Sequence, residues 1–281
     1  MADTAWVALS LCKNLGGRTF QTLLAHFDNN LEAVLGADTP ELRSVPGIGP
    51  KIAHAIRTVD LDRVSTQIHR WQEAGIRILT LGNPDFPQAL VALPDAPPTL
   101  FVLGDLPADT SGVAVVGTRN PSQEMFELAS CIGVTLAERG STVVSGLAMG
   151  IDRAAHMGAL AVPHGRTIAV LGGGILHPYP PQNRQLAQAI VARGGALVCE
   201  VAPDAAVSAP GLVARNRLIT GLSRAIIVAE TETTGGAMHA VRFGRTQQRP
   251  IYAVDNPSPG CRALLKEGAG RVTLTLDGLP N

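Results

Sequence analysis

The chain has 281 residues, 46% of them hydrophobic and 16% charged, with a formal net charge of zero. That balance suits one large core with a smaller companion, and it argues against a disordered chain or a globally basic one. No apolar run reaches the roughly 18 residues a membrane span needs, and the N-terminal stretch lacks a basic flank and a cleavage site. The cysteines, Cys12, Cys131, Cys199 and Cys261, form no CxxC pair. Such spacing fits reduced thiols in a cytoplasmic protein and excludes a cysteine-built zinc finger.

Charge is unevenly placed. Residues 110–275 carry 15 Lys+Arg against 10 Asp+Glu, whereas residues 1–75 carry 7 against 8. Lys13, Lys51 and Lys266 are the only lysines, so the basic residues are almost all arginine. Arginine binds phosphate through two parallel hydrogen bonds and stacks on bases, so this composition permits phosphate recognition without establishing it.

Residues 1–75 read as a helical module with breaks at Gly16-Gly17 and Pro46-Gly47. The run Leu42-Arg43-Ser44-Val45-Pro46-Gly47-Ile48-Gly49-Pro50-Lys51 reads helix, tight hairpin, helix, with Ile48 plugging the space between the helices. It resembles the helix-hairpin-helix motif, whose helix N-terminus offers free N–H groups to a phosphate. The stretch Asn14 to Phe20 looks like a degenerate first copy. Two readings stay open, contact with DNA or a hairpin kept for packing, and the balanced charge favours the second.

Residues 76–110 are expected to connect the modules through a short strand, Ile76–Leu81, and a proline-rich passage. From 111 to 281 strand and helix patterns alternate. Apolar runs fall at Val113–Val116, Thr142–Val144, Thr167–Leu171, Ala196–Val198, Ala225–Val228, Ile251–Val254 and Val272–Leu276. Continuous apolar strands separated by helices predict an α/β fold with a doubly wound, mostly parallel sheet, and ligands lie beyond the carboxyl ends of such strands.

Several of those ends carry glycine or small polar residues. Gly117-Thr118-Arg119 follows the first strand, with Asn120 expected to cap the next helix and Pro121 to open it. Ser145-Gly146 follows the second, Gly172-Gly173-Gly174 the third, and Thr234-Gly235-Gly236 a later one. Several glycine-lined ends on one sheet edge predict a phosphate-binding cleft. No GxGxxG run and no GxxxxGK[ST] run is present, which speaks against a nicotinamide, flavin or P-loop site and leaves no cofactor implied.

Taken in order, the fragments resemble the DNA-processing protein A (DprA/Smf) family. They are Gly117-Thr118-Arg119, Ser145 to Asp152 with Ala155-His156, Thr167 to Gly172, Tyr179-Pro180 with Asn183, and Arg215-Asn216-Arg217. The resemblance implies a Rossmann-like domain preceded by a small, SAM-like helical one. It implies binding of single-stranded DNA, self-association through Cys261 to Leu276, and transfer of the strand to the recombinase RecA in natural transformation. Arg119 and Arg184 are then expected to hold phosphates, Arg215, Asn216 and Arg217 to shape the pocket, and Gly235 and Gly236 to add backbone donors. The chain departs from the pattern at Leu212-Val213-Ala214, at Thr234-Gly235-Gly236 and at Asp255-Asn256, and a C-terminal winged-helix-like domain, found in many relatives, is absent from these 281 residues.

Other candidate groups have blander readings. Asp152 and His156, four apart on a helix, are expected to form a hydrogen-bonded structural pair rather than an acid–base or metal pair. Glu200 and Glu230 end strands at the cleft and are expected to fix loops through arginine, and Tyr179 either stacks on a base or packs in its loop. The rival is a nucleotide-processing hydrolase of the phosphoribohydrolase (lysine-decarboxylase-like) type. Its glycine loop is echoed by Gly235-Gly236, without the glutamate that glycosidic chemistry needs. No catalytic or metal residue is therefore expected.

Overall fold

The computed structural model describes residues 4–280. Nine strands form one sheet: β1 (Arg77–Thr80), β2 (Thr99–Gly104), β3 (Gly112–Val116), β4 (Val143–Ser145), β5 (Thr167–Val170), β6 (Ala196–Cys199), β7 (Ser223–Val228), β8 (Ile251–Val254) and β9 (Gly270–Val272). Their spatial order is β1-β2-β6-β5-β4-β3-β7-β8-β9. From β6 to β9 every pairing is parallel, while β2 pairs antiparallel with both β1 and β6.

The parallel block exists because its strands are apolar on both faces. All five residues of β3 and all four of β5 are buried. Helices Gln123–Glu138 and Ile151–Ala161 cover one face through Met125, Ile132, Leu136 and Ala155. The other face is covered by residues 86–96 and by helices Asn216–Gly221, Ala237–Thr246 and Pro259–Lys266. The chain moves outward from β3 through β4, β5 and β6, then returns to the opposite side of β3 at β7. That reversal opens a crevice at the carboxyl ends of β3 and β7.

Helices Thr4–Ser10, Gly17–His26, Leu31–Gly36, Thr39–Ser44 and Pro50–Arg57 close a separate core around Phe20, Leu23, Leu42 and Ile56. Gly47 takes a left-handed φ of 88° in the hairpin between the last two, and Ile48 is buried below it, as the sequence predicts. Helix Leu61–Glu73 carries this module to the sheet, where Trp71 meets Phe101 of β2 edge to face, the ring centroids lying 5.3 Å apart.

Four local expectations are corrected. The 76–110 segment supplies two sheet strands, β1 and β2, besides connecting the modules. The cap of helix Gln123–Glu138 is Ser122, whose hydroxyl accepts from the Met125 amide, and Asn120 instead turns back to give its N–H to Thr118 Oγ1. Helix Ala209–Ala214 arises where no element was expected, capped by Ser208 and opened with Pro210 in its first turn. The last strand stops at Val272, because Leu276 takes a φ of 67° in a turn closed by Thr273 and Asp277.

A candidate nucleic-acid cleft at the strand reversal

The loop after β3 is clamped from both sides. The Thr118 amide donates to Glu230 O at 2.7 Å, and Thr118 O accepts from the Ile151 amide at 3.2 Å. A Cβ on Gly117 would lie 2.5 Å from Ile151 Cγ1 and 2.9 Å from Glu230 O, so only glycine fits there. The clamp aims Thr118 and Arg119 outward over the crevice. Arg119 is exposed and makes no hydrogen bond or ion pair with the other described residues.

The turn after β4 forms the adjoining wall. Asp152 Oδ2 accepts from the Gly146 and Ala148 amides at 3.1 and 3.3 Å, and Asn183 Nδ2 donates to Leu147 O and Ala148 O from the other side. Leu147 is held at a φ of 60°, an unusual value for a branched side chain that this double pinning sustains. Beneath the turn lies the buried guanidinium of Arg215, which donates through Nη1 to Val170 O at 2.8 Å and stands 3.8 Å from Asp152 Oδ2. A Cβ on Gly146 would overlap that guanidinium at 1.4 Å.

Burial raises the Asp152 carboxyl above its ordinary range, and Arg215 opposes that rise. Burial also lowers the Arg215 guanidinium, and Asp152 holds it up. The two ions therefore support one another, and removing either would leave a buried charge uncompensated.

The resulting cavity is about 490 Å³, lined by Gly117, Thr118, Arg119, Arg215, Asn216, Gly235 and Gly236, with Asp152, Leu212, Val213, Thr231 and His239. A smaller recess beside it joins Arg119, Gly146 and Arg215 to Met149, Tyr179 and Pro180. Eight of the eleven sequence-derived residues thus surround one space. Ser145 lies just below, its hydroxyl committed to Val115 O at 2.6 Å. Two residues stand apart. Arg184 is exposed at the start of helix Arg184–Ala192 and lines a separate apolar recess with Leu103, Ile175 and Leu176. Arg217 is buried away from the cleft, ion-paired with Glu200 and, at 3.5 Å, with Asp95.

The carboxylates and the histidine are also corrected. Asp152 and His156 do not pair: His156 Nδ1 meets Thr167 Oγ1 at 2.7 Å, and that hydroxyl donates to Val143 O. The imidazole is therefore the Nδ1–H tautomer, assigned from this network, with Nε2 buried and unpartnered among the described residues. Burial and Arg215 push His156 down to about 3. Glu200 does bind an arginine, but Glu230 fixes its loop by accepting the Ser122 amide at 3.2 Å. Among the described residues no group of three or more His, Cys, Asp or Glu could hold a metal ion, and no helix is long and apolar enough to cross a membrane.

The sequence reading missed the Leu212–Val213 wall and the acidic floor at Asp152. Ser208-Ala209-Pro210, a cap followed by proline, was the available signal for the wall. The floor had none, because its neighbours come from three separate elements.

Residues 77–279 match the family model described as DNA recombination-mediator protein A. The chain belongs to that family. Protein Smf of Synechocystis is 36% identical over 276 residues, which cover 94% of this chain and 68% of that protein. Protein Smf of Escherichia coli is 40% identical over 194 residues, covering 67% of this chain and 52% of its own length. Among solved structures, the DNA processing protein A of Streptococcus pneumoniae superposes with a TM-score of 0.81 at 26% identity, over 100% of this chain and 99% of the other. The Helicobacter pylori protein, described for its single-stranded DNA binding mode, gives 0.63 at 28% identity over 70% of this chain and 90% of its own. The matched residues contain all nine strands of the sheet described above.

Proposed function

We propose that the chain binds single-stranded DNA in the β3–β7 cleft, protects it, and helps to load RecA during natural transformation and recombination in the cytoplasm. The observation that carries the reading is Arg119, an exposed cation without an internal partner at the mouth of a glycine-lined cavity where the strand order reverses. Phosphate binding needs such a free charge, and a helix N-terminus or backbone amides alone would supply less. Thr118, Asn216, Gly235 and Gly236 complete the contact surface, and Arg184 flanks it from its own recess. The relative from Helicobacter pylori supports the choice of ligand.

Binding, not turnover, is the proposed activity. The phosphoribohydrolase alternative needs a glutamate after its glycine loop, and here Ala237-Met238-His239 occupies that stretch. No cofactor enters the proposal. Self-association is proposed through Cys261 to Leu276, supported by β9 at the open edge of the sheet and by exposed Leu274. Leu264 adds nothing to that surface, since it is buried in the chain's own core.

The test is a titration with labelled single- and double-stranded oligonucleotides at several salt concentrations. Binding of the single strand that weakens steeply with salt is expected. Equal preference for duplex, or release of free base from a nucleotide, would remove the proposal. For the dimer, sedimentation should show a shift toward monomer in Leu274→Arg.

A further inference from the structure

Part of the sheet face away from the cleft is left without a helix over it. Helix Leu61–Glu73 covers β2 through Trp71, and helix Arg184–Ala192 packs on the same face through Ala187 and Ile190. Neither closes over Leu103, which stands directly opposite Leu197 across β2 and β6 and with it floors a groove of about 500 Å³. One wall is a single side of a helix: Arg184, Ala187, Gln188, Val191 and Ala192 recur at the three- and four-residue spacing of one helical face. The loop after β5 gives the other wall, where Leu176 is 41% exposed. Arg184 is the one arginine in this lining, which includes no Asp or Glu, and it makes no hydrogen bond or ion pair with the other described residues. His177 and Gln188 are the remaining polar side chains, too few to orient a polar small molecule. A nucleic-acid strand laid here would set several phosphates against leucine and valine with one guanidinium to meet them.

We propose that this groove docks an amphipathic helix of a partner protein, with apolar side chains on Leu103, Leu197 and Val191 and an acidic residue at one end on Arg184. The dimensions fit: Arg184 to Ala192 is eight residues of helix, about 12 Å, which is the reach of two turns and of an i, i+3, i+4, i+7 apolar stripe. A docked helix completes the layer over the sheet, and the carboxylate–guanidinium contact sets its direction. The charge complementarity is specific, since a cationic helix would meet Arg184 with no acid in the lining to offset the repulsion. Asn183, the residue before Arg184, donates to Leu147 O and Ala148 O in the wall of the β3–β7 cleft. A partner held here therefore sits beside that cleft without entering it.

The experiment uses the full chain and fluorescence anisotropy with a labelled helical dodecapeptide that carries a leucine stripe and glutamates in its first turn. Its counterparts have lysines in place of the glutamates, or the same residues scrambled so that the stripe is broken. Wild type is expected to bind the glutamate peptide about tenfold more tightly than the lysine peptide, and Arg184→Glu to reverse that order. Leu176→Asn, a change at an exposed position, should weaken the glutamate peptide by about three- to tenfold and leave a thymine oligonucleotide bound as by wild type. No binding of the glutamate peptide up to about 1 mM would overturn the proposal, as would equal binding of the scrambled one. Equal affinity for the glutamate and lysine peptides would remove Arg184 as the anchor and the proposal with it. A loss of oligonucleotide binding in Leu176→Asn as large as the loss of peptide would assign the groove to the nucleic-acid strand instead. The wild-type comparisons decide without any variant.

Discussion

Arg119 and Arg217 are the same residue type, and they do opposite work. Arg119 rides an exposed loop clamped by Gly117 and Thr118, so its charge is available to a ligand. Arg217 points into the protein, where Glu200 and Asp95 consume it. Burial and partners, not residue type, decide whether an arginine recognises or braces. The pairing differs in cost as well: an exposed unpaired cation loses little when removed, whereas a buried pair that loses one member strands the other.

The sharpest way to break this contrast is Arg217→Ala. Glu200, which burial already pushes upward and Arg217 holds down, would lose its counter-ion. Unfolding in urea should show a loss of about 3–5 kcal/mol, while Arg119→Ala stays within about 0.5 kcal/mol of wild type. Two variants of equal stability would dissolve the distinction.

Acid tests the buried side by another route. His156 is lowered from 6.5 to about 3, so below pH 6.5 the unfolded chain takes up a proton that the folded chain refuses. Its contribution to stability is complete above pH 6.5 and falls with pH toward 3, by about 3 kcal/mol at pH 4. His156→Asn, whose amide can still donate to Thr167, should flatten the decline between pH 6.5 and 4. Parallel curves for variant and wild type would count against it.

On the exposed side the readout is binding. Arg119→Ala should weaken single-stranded DNA by about 1.5–3 kcal/mol and reduce the salt slope by about 0.7. An unchanged slope would move the phosphate contact elsewhere. Arg184→Ala, from a separate recess, should cost less, about 1 kcal/mol or below. A larger loss than Arg119→Ala would make Arg184's recess, not the β3–β7 crevice, the main site.

The sequence made the parallel block legible because strands buried on both faces read as plain apolar runs. It hid β2 for a related reason: Thr99–Gly104 directly follows Pro97-Pro98, and the proline-rich passage masked an apolar run of strand length. Three of the four glycine-ended loops gather around the crevice where the strand order reverses, whereas Gly172-Gly173-Gly174 packs under residues 203–212 and does not line it. What the pattern could not separate was Arg215 from Arg217. Residues two apart on a helical turn point to different sides, so one guanidinium touches the cleft and the other braces the far wall. Nor could spacing show that Asp152 serves the turn before its own helix while His156, one turn later, serves a strand. Equal spacing on a helix gives a shared face, not a shared partner.

The antiparallel β2 also bears on how the molecule can be cut. Its residues Phe101 to Gly104 pair with Cys199 to Ala196, nearly a hundred positions further along, and its other edge is closed by β1. A truncation beginning at residue 111 would remove both strands and leave β6 as a bare apolar edge, ready to recruit another chain. One beginning at 76 would keep the sheet whole yet uncover Phe101 and Ile78, which Trp71 and Ile68 otherwise help to shield. Dissecting the helical module from the α/β domain therefore calls for polar replacements along that seam, and a simple deletion would confuse lost contacts with aggregation.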